Sequence, residues 1–281
     1  MGEHSKNLRS RANILGANRI GFCVICGTHG KLTADHVPPK GCGVLPDVIL
    51  RPLMSADGTL RGPKIQGGVK FRTICGGCNN TLLGTLYDPE LKVFVTDMLT
   101  QIMQTANQVY ARFVHIKIRT PLVIRALIGH MLAAHAVQET LEKRESLGAN
   151  DSLRDYLLNP TATFPKDWRL YCWPYLSRQQ VILKHAVLSD LSNFNLRTNP
   201  LYGHVIKFLP LGFWFVHDQP SDYHISAFEI TPPYDAETDF METIIFNLNE
   251  RPHFLFPETP QGNQMLAFAD HQSSVASPTT K

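Results

Sequence analysis

Two short cysteine motifs, Cys23-Val24-Ile25-Cys26 and Cys75-Gly76-Gly77-Cys78, decide how the N-terminal part of the chain folds. Each motif holds two thiols on one tight turn, and the two motifs together supply four thiolates, the ligand set of a closed structural zinc site. Four unrelated buried cysteines are the alternative, but they do not explain the matched spacing. The sequence therefore predicts one structural zinc ion bound by all four cysteines.

The 48 residues between the motifs exceed the spacing of a simple zinc ribbon, so they are expected to hold structure of their own. They contain Asp35-His36 at the end of a predicted strand, which Pro38-Pro39 stops. A histidine accepts a proton from water near neutral pH, and an adjacent carboxylate binds a divalent cation. Phosphodiester hydrolysis uses both groups. Asn79, directly after the second motif, offers a further oxygen ligand.

The sequence contains, in order, Cys-x-x-Cys, Asp-His followed by prolines, and Cys-x-x-Cys-Asn. In this order of motifs it resembles the HNH or ββα-metal nuclease family. The resemblance spans about residues 20–85 and is strongest to the zinc-stapled subgroup that includes phage recombination endonuclease VII. It implies that Asp35 and Asn79 bind a catalytic Mg²⁺ or Mn²⁺ ion and that His36 is the general base. Since successive side chains on a regular strand face opposite ways, it also implies a bend at Asp35-His36.

The sequence departs from the family pattern at one position. Many HNH nucleases carry a central Asn or His that orients the base, and residues 41–71 contain neither. A backbone carbonyl could take that role, and the candidate side chains are Asp47, Ser55, Asp57 and Gln66. An Asp-Asn ligand pair leaves most of the coordination shell to water and phosphate, which favours Mg²⁺ over a tightly bound transition metal.

The charge of the chain is distributed unevenly. Residues 1–90 hold 11 Lys+Arg against 6 Asp+Glu, giving +5, and residues 91–281 hold 16 against 18, giving −2, which sum to the net +3. A basic module favours binding to phosphate groups. The predicted nucleic-acid contacts are Lys40, Arg61, Lys64 and Lys70.

Composition indicates an ordinary globular protein, with 43% hydrophobic and 18% charged residues. No apolar run approaches the ~20 residues that a membrane span requires, and the polar, basic N-terminus has no signal-peptide core. We therefore expect a cytoplasmic location and no membrane partner. Cys42 and Cys172 are expected to be free thiols in a reducing compartment, with Cys42 as an alternative zinc ligand.

The predicted fold class is α+β. A basic arm and a zinc-stapled ββα-metal module occupy residues 1–88, with a substrate-facing insertion over 41–70, a strand over 69–74 and a helix from Cys78 to Leu86. A helical hairpin over 89–148 follows, with its helices opening at Asp88-Pro89 and Thr120-Pro121. A mostly antiparallel sheet is predicted over 160–256 and a disordered tail over 257–281.

The histidines of the C-terminal part show no metal-ligand spacing. They are expected to be ordinary packed or surface residues: His130, His135, His185, His204, His217, His224 and His253.

The sequence thus predicts a metal-dependent HNH endonuclease that hydrolyses DNA, with RNA left open as a substrate. The role of residues 89–256 is open: this part could bind nucleic acid and set the target, sense a ligand and control the nuclease, or contact a second copy or a regulatory partner. A phage-defence or toxin-like effector is compatible with this prediction. The alternative is a non-catalytic, zinc-stapled nucleic-acid-binding protein in which Asp35-His36 forms a structural turn, and the missing central Asn favours it.

Overall fold

A computed structural model of the chain describes residues 19–53, 62–105, 113–134, 140–143, 148–190, 200–219, 225–249, 252–253, 255–260, 262–269 and 273–279. The fold is mixed α+β with mostly antiparallel sheets, as the sequence predicted. Within the described ranges, no helix has both the length and the apolar character needed to cross a membrane. Several residues singled out in the sequence lie outside these ranges: Ser55, Asp57, Arg61, His135 and His224.

The secondary-structure elements follow one another in a simple order. They are β1 (Arg19–Phe22), β2 (His29–His36), β3 (Asp47–Arg51), β4 (Lys64–Gln66), β5 (Lys70–Cys75), α1 (Gly77–Tyr87), α2 (Asp88–Thr105), β6 (Phe113–Ile118), α3 (Thr120–Ala133), α4 (Asp151–Leu158), β7 (Trp168–Pro174), β8 (Gln180–Asp190), β9 (Leu201–Phe208), β10 (Leu211–His217), β11 (Phe228–Glu229), β12 (Glu242–Asn247), β13 (Gln264–Ala267) and β14 (Ser274–Pro278).

A small antiparallel sheet in the order β1-β2-β5 lies next to α1. Leu32 from β2, Ile74 from β5 and Leu83 from α1 are fully buried in one shared core, which holds the sheet against the helix. The strand predicted over 69–74 and the helix predicted over 78–86 are confirmed. The helix is wider than an α-helix, since the backbone N–H of Asp88 bonds to the carbonyl of Leu83, five residues earlier.

The pairing of β2 with β5 is irregular just before Asp35-His36. Thr33 pairs with Ile74, whereas Asp35 pairs with Phe71, so β5 has one residue more than β2 between these pairs. Such a bulge bends the strand pair and increases its twist. The irregularity lies before Asp35, while Asp35 and His36 themselves pair in regular register with Phe71 and Lys70.

A second, larger sheet runs in the order β11-β7-β10-β9-β8-β14-β3-β4, with β13 also paired to β8. Its paired strands are antiparallel. Three tryptophans, Trp168, Trp173 and Trp214, are completely buried on its two faces. The mostly antiparallel sheet predicted over 160–256 thus contains β7, β8, β9, β10 and β11, whereas β12 lies in a separate two-stranded sheet with β6.

The helical hairpin predicted over 89–148 is wrong, because β6 lies between α2 and α3. Val114, Ile116 and Ile118 are buried, while the residues between them are exposed, so this segment follows the two-residue period of a strand. It pairs with β12, which comes more than a hundred residues later. The helices themselves begin where the sequence predicted, at Asp88 and Thr120.

Two further expectations are corrected by the large sheet. Residues 41–70 are not simply a loop, because they contain β3 and β4, which form one edge of that sheet. The tail over 257–281 contains β13 and β14, and β14 lies between β3 and β8. Val275 and Ala276 are buried there, so pairing on both sides orders a segment whose composition alone predicts disorder.

Helix α3 connects the two sheets. Every side chain of this helix except Leu122 is buried, and its apolar residues belong to the core cluster that also holds β2, β5, α1 and one face of the large sheet. Gly129 allows the helix to approach α1 closely, since a Cβ at this position would lie 2.2 Å from Cδ2 of Leu83. The neighbouring His130 is thereby placed beside β2 and the start of α2.

The buried position of β14 gives a testable prediction. A chain ending at residue 272 lacks β14, exposes Leu50 and Ile182 on the flanking strands, and loses the burial of Val275. The free energy of unfolding should fall by about 3 kcal/mol or more, measured by chemical denaturation. A chain ending at Thr279, which retains β14 and the bond from the N–H of Thr279 to the carbonyl of Asp47, is the control and should unfold like the full chain. Equal stability of the shorter chain would contradict the assigned strand.

Candidate metal centre and the Asp35-His36 region

The structure brings the four predicted cysteines together. The Sγ atoms of Cys23, Cys26, Cys75 and Cys78 all lie within 4.8 Å of one another. The Sγ atoms of Cys26 and Cys75 are 3.7 Å apart, close to the ~3.8 Å that separates two thiolates bound to a tetrahedral zinc ion at about 2.3 Å. In the part of the chain that the structure describes, this is the only group of three or more Cys, His, Asp or Glu residues that converges in this way.

Local backbone geometry positions both motifs. The first is a closed turn in which the N–H of Cys23 bonds to the carbonyl of Thr28, and the N–H of Gly27 bonds to the carbonyl of Cys23. Gly27 has a φ of 71°, a conformation that glycine adopts without strain. The second motif joins the end of β5 to α1, and the N–H of Cys78 lies 3.5 Å from Sγ of Cys75. Each motif therefore contributes two sulfur atoms to the same cluster.

The thiols influence one another electrostatically. A hydrogen bond shared with Cys78 lowers the pKa of Cys23 and, through the same bond, raises the pKa of Cys78. Burial raises the pKa of Cys75. A bound divalent cation would offset the repulsion among four thiolates, so the donor set and its spacing fit zinc.

Cys42 is not part of this group. It is buried, and its N–H bonds to the carbonyl of Pro39. Burial raises the pKa of its thiol to about 12, which is the behaviour of a small apolar residue and not of a ligand. The expectation of a free thiol is thus the better description of Cys42.

Asp35 is almost completely buried, with 4% of its surface exposed, and it is paired with a histidine from α3. Its Oδ2 atom accepts a hydrogen bond of 2.9 Å from Nδ1 of His130, whose Nε2 donates one of 2.8 Å to Oδ1 of Asp88. Burial lowers the pKa of His130, but the two carboxylates outweigh it and raise this pKa to about 10. His130 is therefore a cation between two acidic side chains.

His36 is half-buried on the next position of β2. Its Nε2 atom lies 3.1 Å from the carbonyl oxygen of Gly67, so the described partner of the ring is a backbone carbonyl, which is one of the alternatives that the sequence left open. Burial lowers the pKa of His36, and the positive charge of Lys70 lowers it further, with a smaller contribution from Lys40. Burial and the two lysine charges thus both disfavour the protonated form of the ring.

Asn79 contacts β2 directly beside Asp35. Its amide nitrogen donates to Oγ1 of Thr33 at 3.0 Å and to the carbonyl of Ala34 at 3.1 Å. Both amide protons are used, and within the described residues neither Oδ1 of Asn79 nor Oδ1 of Asp35 accepts a hydrogen bond. These two oxygens are hard donors of the kind that Mg²⁺ and Mn²⁺ prefer.

The predicted phosphate contacts are only partly grouped. Lys40 is exposed and Lys70 is half-buried, and both act electrostatically on His36. Lys64 is exposed on β4 in the large sheet. Arg61 lies outside the described residues. The positive charge near His36 that the structure describes therefore comes from Lys40 and Lys70.

The histidines of the large sheet are packing residues, as expected. His204 is fully buried, accepts a hydrogen bond from the backbone N–H of His185 at Nδ1, and donates one from Nε2 to Asn150. Burial lowers the pKa of His204 well below its ordinary value. His217 bonds to Asp167 instead.

Comparisons of this chain with protein-family models, with curated proteins and with solved structures found no match.

The Asp35-His36 region also contains two groups that sequence reasoning did not identify, His130 and the carbonyl of Gly67. Helix α3 carries two ionisable residues, Arg125 and His130, on an otherwise mostly apolar sequence, and this was the available signal for His130. A carbonyl leaves no signal in the sequence.

The cysteine cluster predicts stoichiometric zinc. Purified protein should contain one zinc ion per chain, and Cys78→Ser should lose it, because the site then lacks one thiolate. Zinc binding contributes on the order of 10 kcal/mol in small zinc domains, so β2, β5 and α1 should lose protection from amide hydrogen exchange. Metal analysis and exchange mass spectrometry measure the two effects. Cys42→Ala is the matched control, and full zinc content in Cys78→Ser would contradict the site.

Proposed function

We propose that the chain is a metal-dependent endonuclease of the HNH type that hydrolyses DNA, with His36 as the general base. One observation carries this proposal: His36, which directly follows the carboxylate of Asp35 in β2, bonds to the carbonyl of Gly67, and burial together with the charges of Lys70 and Lys40 lowers its pKa. The cysteine cluster, the bend before Asp35 and the contact of Asn79 with β2 are consistent with the same family.

The protonation of His36 determines which atom acts as the base. Since a carbonyl oxygen only accepts hydrogen bonds, the Nε2 atom that faces Gly67 carries the proton of the neutral ring, and Nδ1 has the free lone pair. Nδ1 would take a proton from a water molecule as its oxygen attacks phosphorus. A new P–O bond forms, the bond to the 3′-oxygen breaks, and this oxygen takes a proton from solvent.

Other side chains of the chain bind and orient the substrate. Lys40 and Lys70 would bind non-bridging phosphate oxygens, because both carry positive charge close to His36. Asp35 and Asn79 would hold the Mg²⁺ or Mn²⁺ ion through their free Oδ1 atoms. When bound, that ion supplies positive charge beside the scissile phosphate. The zinc held by the four cysteines would have a structural role.

One observation favours a second candidate function. Asp35 is nearly buried and shares a strong pair with His130, as a purely structural carboxylate would. In a non-catalytic, zinc-stapled nucleic-acid-binding protein, Asp35-His36 would have only this structural role. Such a protein would bind DNA or RNA without cleaving either, so a cleavage assay separates the two candidates. A phage-defence or toxin-like role, and a partner bound through the C-terminal part, stay predictions.

Removal of the base should abolish most of the cleavage. In His36→Ala, the rate of plasmid nicking in saturating Mg²⁺ or Mn²⁺ should fall by about 10²–10⁴, the usual contribution of general-base catalysis. Added metal should not restore the rate, because the missing group is a base. In contrast, Asp35→Ala removes an anionic ligand, and high Mn²⁺ should restore part of its activity.

The control for this pair is His115→Ala, since His115 is exposed on β6. Zinc content should be equal in all the variants, which verifies the fold. Full nicking activity in His36→Ala would overturn the proposed mechanism, and DNA binding without any nicking by the unaltered protein would favour the second candidate.

The two lysines near His36 give a prediction about salt. In Lys40→Gln/Lys70→Gln, the plot of log K for DNA binding against log salt should become less steep by about 2, since each phosphate contact contributes about 0.9 to this slope. The loss should be similar for unrelated DNA sequences. Lys117→Gln/Arg178→Gln, which removes two exposed charges elsewhere, should keep the original slope. An unchanged slope in the first variant would place DNA on another surface.

A further inference from the structure

Three elements that are distant in the sequence meet at the side chain of His130. The histidine lies in α3, Asp35 lies in β2, and Asp88 begins α2. Only 1% of the His130 side chain is exposed, whereas that of Asp88 is 22% exposed. The hydrogen-bonded side chains of Asp35, His130 and Asp88 therefore extend from the surface at α2 to the buried side of strand β2.

The geometry indicates where the two N–H protons of the His130 ring lie. Each ring nitrogen of His130 faces a carboxylate oxygen, and an ionised carboxylate only accepts hydrogen bonds. Both nitrogens are therefore donors, and a rotated ring would leave the buried Asp35 and the partly exposed Asp88 without this partner. The ring is thus held in one orientation from both sides.

This orientation constrains Asp35. Because Oδ2 is bound to His130, the carboxylate cannot rotate freely about its last torsion, and Oδ1 remains the atom available to another partner. Carboxylates that bind metals are commonly hydrogen-bonded in this way by residues outside the coordination shell, and loss of such partners weakens metal binding by about 10–100-fold.

We propose that His130, supported by Asp88, is a positioning residue that holds the carboxylate of Asp35 in the orientation that binds the divalent cation. This inference rests on the proposed function and extends it to α3, outside the segment that resembles the HNH family. The C-terminal part of the chain then completes the metal site through a buried contact.

The test uses Mn²⁺ binding to the zinc-loaded full chain, measured by titration calorimetry, together with nicking at a series of Mn²⁺ concentrations. His130→Asn keeps an amide donor near the position of Nδ1 and loses the bond to Asp88. Its Kd for Mn²⁺ should rise by about 10-fold or more, and half-maximal nicking should require correspondingly more Mn²⁺. The rate at saturating Mn²⁺ should recover towards that of the unaltered protein.

A matched control separates positioning from general destabilisation. His204→Asn also changes a fully buried, doubly bonded histidine, but one in the large sheet. It should lower the unfolding temperature and leave the Kd for Mn²⁺ unchanged. Asp88→Asn retains an acceptor for Nε2 but not the negative charge, so it should raise this Kd by a smaller factor. If His130→Asn does not fold, the Kd of Asp88→Asn tests the positioning role.

The outcomes distinguish this inference from the proposed function. If the unaltered protein neither binds Mn²⁺ nor nicks DNA, the proposed function fails. If it does both, and folded His130→Asn or Asp88→Asn has an unchanged Kd for Mn²⁺, only the positioning role is overturned. An equal rise in Kd for His204→Asn would also overturn it, because the effect would then follow from destabilisation alone.

Discussion

The convergence of four thiols is the constraint on which the N-terminal half of the structure depends. Cys26 and Cys75 are 49 positions apart in sequence, and their sulfurs are neighbours. Strand β2 begins just after the first motif and ends at Asp35-His36, while α1 begins inside the second and carries Asn79. The position of the sulfur cluster therefore fixes the starts of both elements that supply the site. Where a metal joins such segments, its binding free energy contributes directly to folding.

The large sheet also contributes to the site, although it supplies no side chain to it. The carbonyl that bonds to His36 belongs to Gly67, which follows directly after β4. Gly67 and Gly68 both have positive φ, so the chain reverses there between an edge strand of the large sheet and β5 of the small one. Because β4 is held by β3, and β3 by β14, the partner of the histidine is fixed by the opposite end of the chain.

The parts of the molecule that could be predicted from the sequence are those with local causes. The cysteine pairs, the alternation in β5 and the proline-marked starts of α2 and α3 each leave a pattern within a few residues. Strand β6 was missed because the apolar spacing of α2 continues as far as Phe113, the first residue of that strand. Strand β14 was missed because only two of its residues are apolar, and its order comes from two neighbouring strands. The His130–Asp35 pair spans 95 positions, so no local pattern could reveal it.

The pairing of β14 with β3 has a consequence for how the protein is made. The hydroxyl of Thr279 reaches the carbonyl of Asp47 across 232 positions. On a ribosome, β3 and β4 therefore emerge long before the strand that attaches them to the large sheet. The turn that carries the carbonyl for His36 would gain this support only after β14 has left the exit tunnel. In a nascent chain, the partner of His36 would therefore be fixed long after His36 itself has emerged.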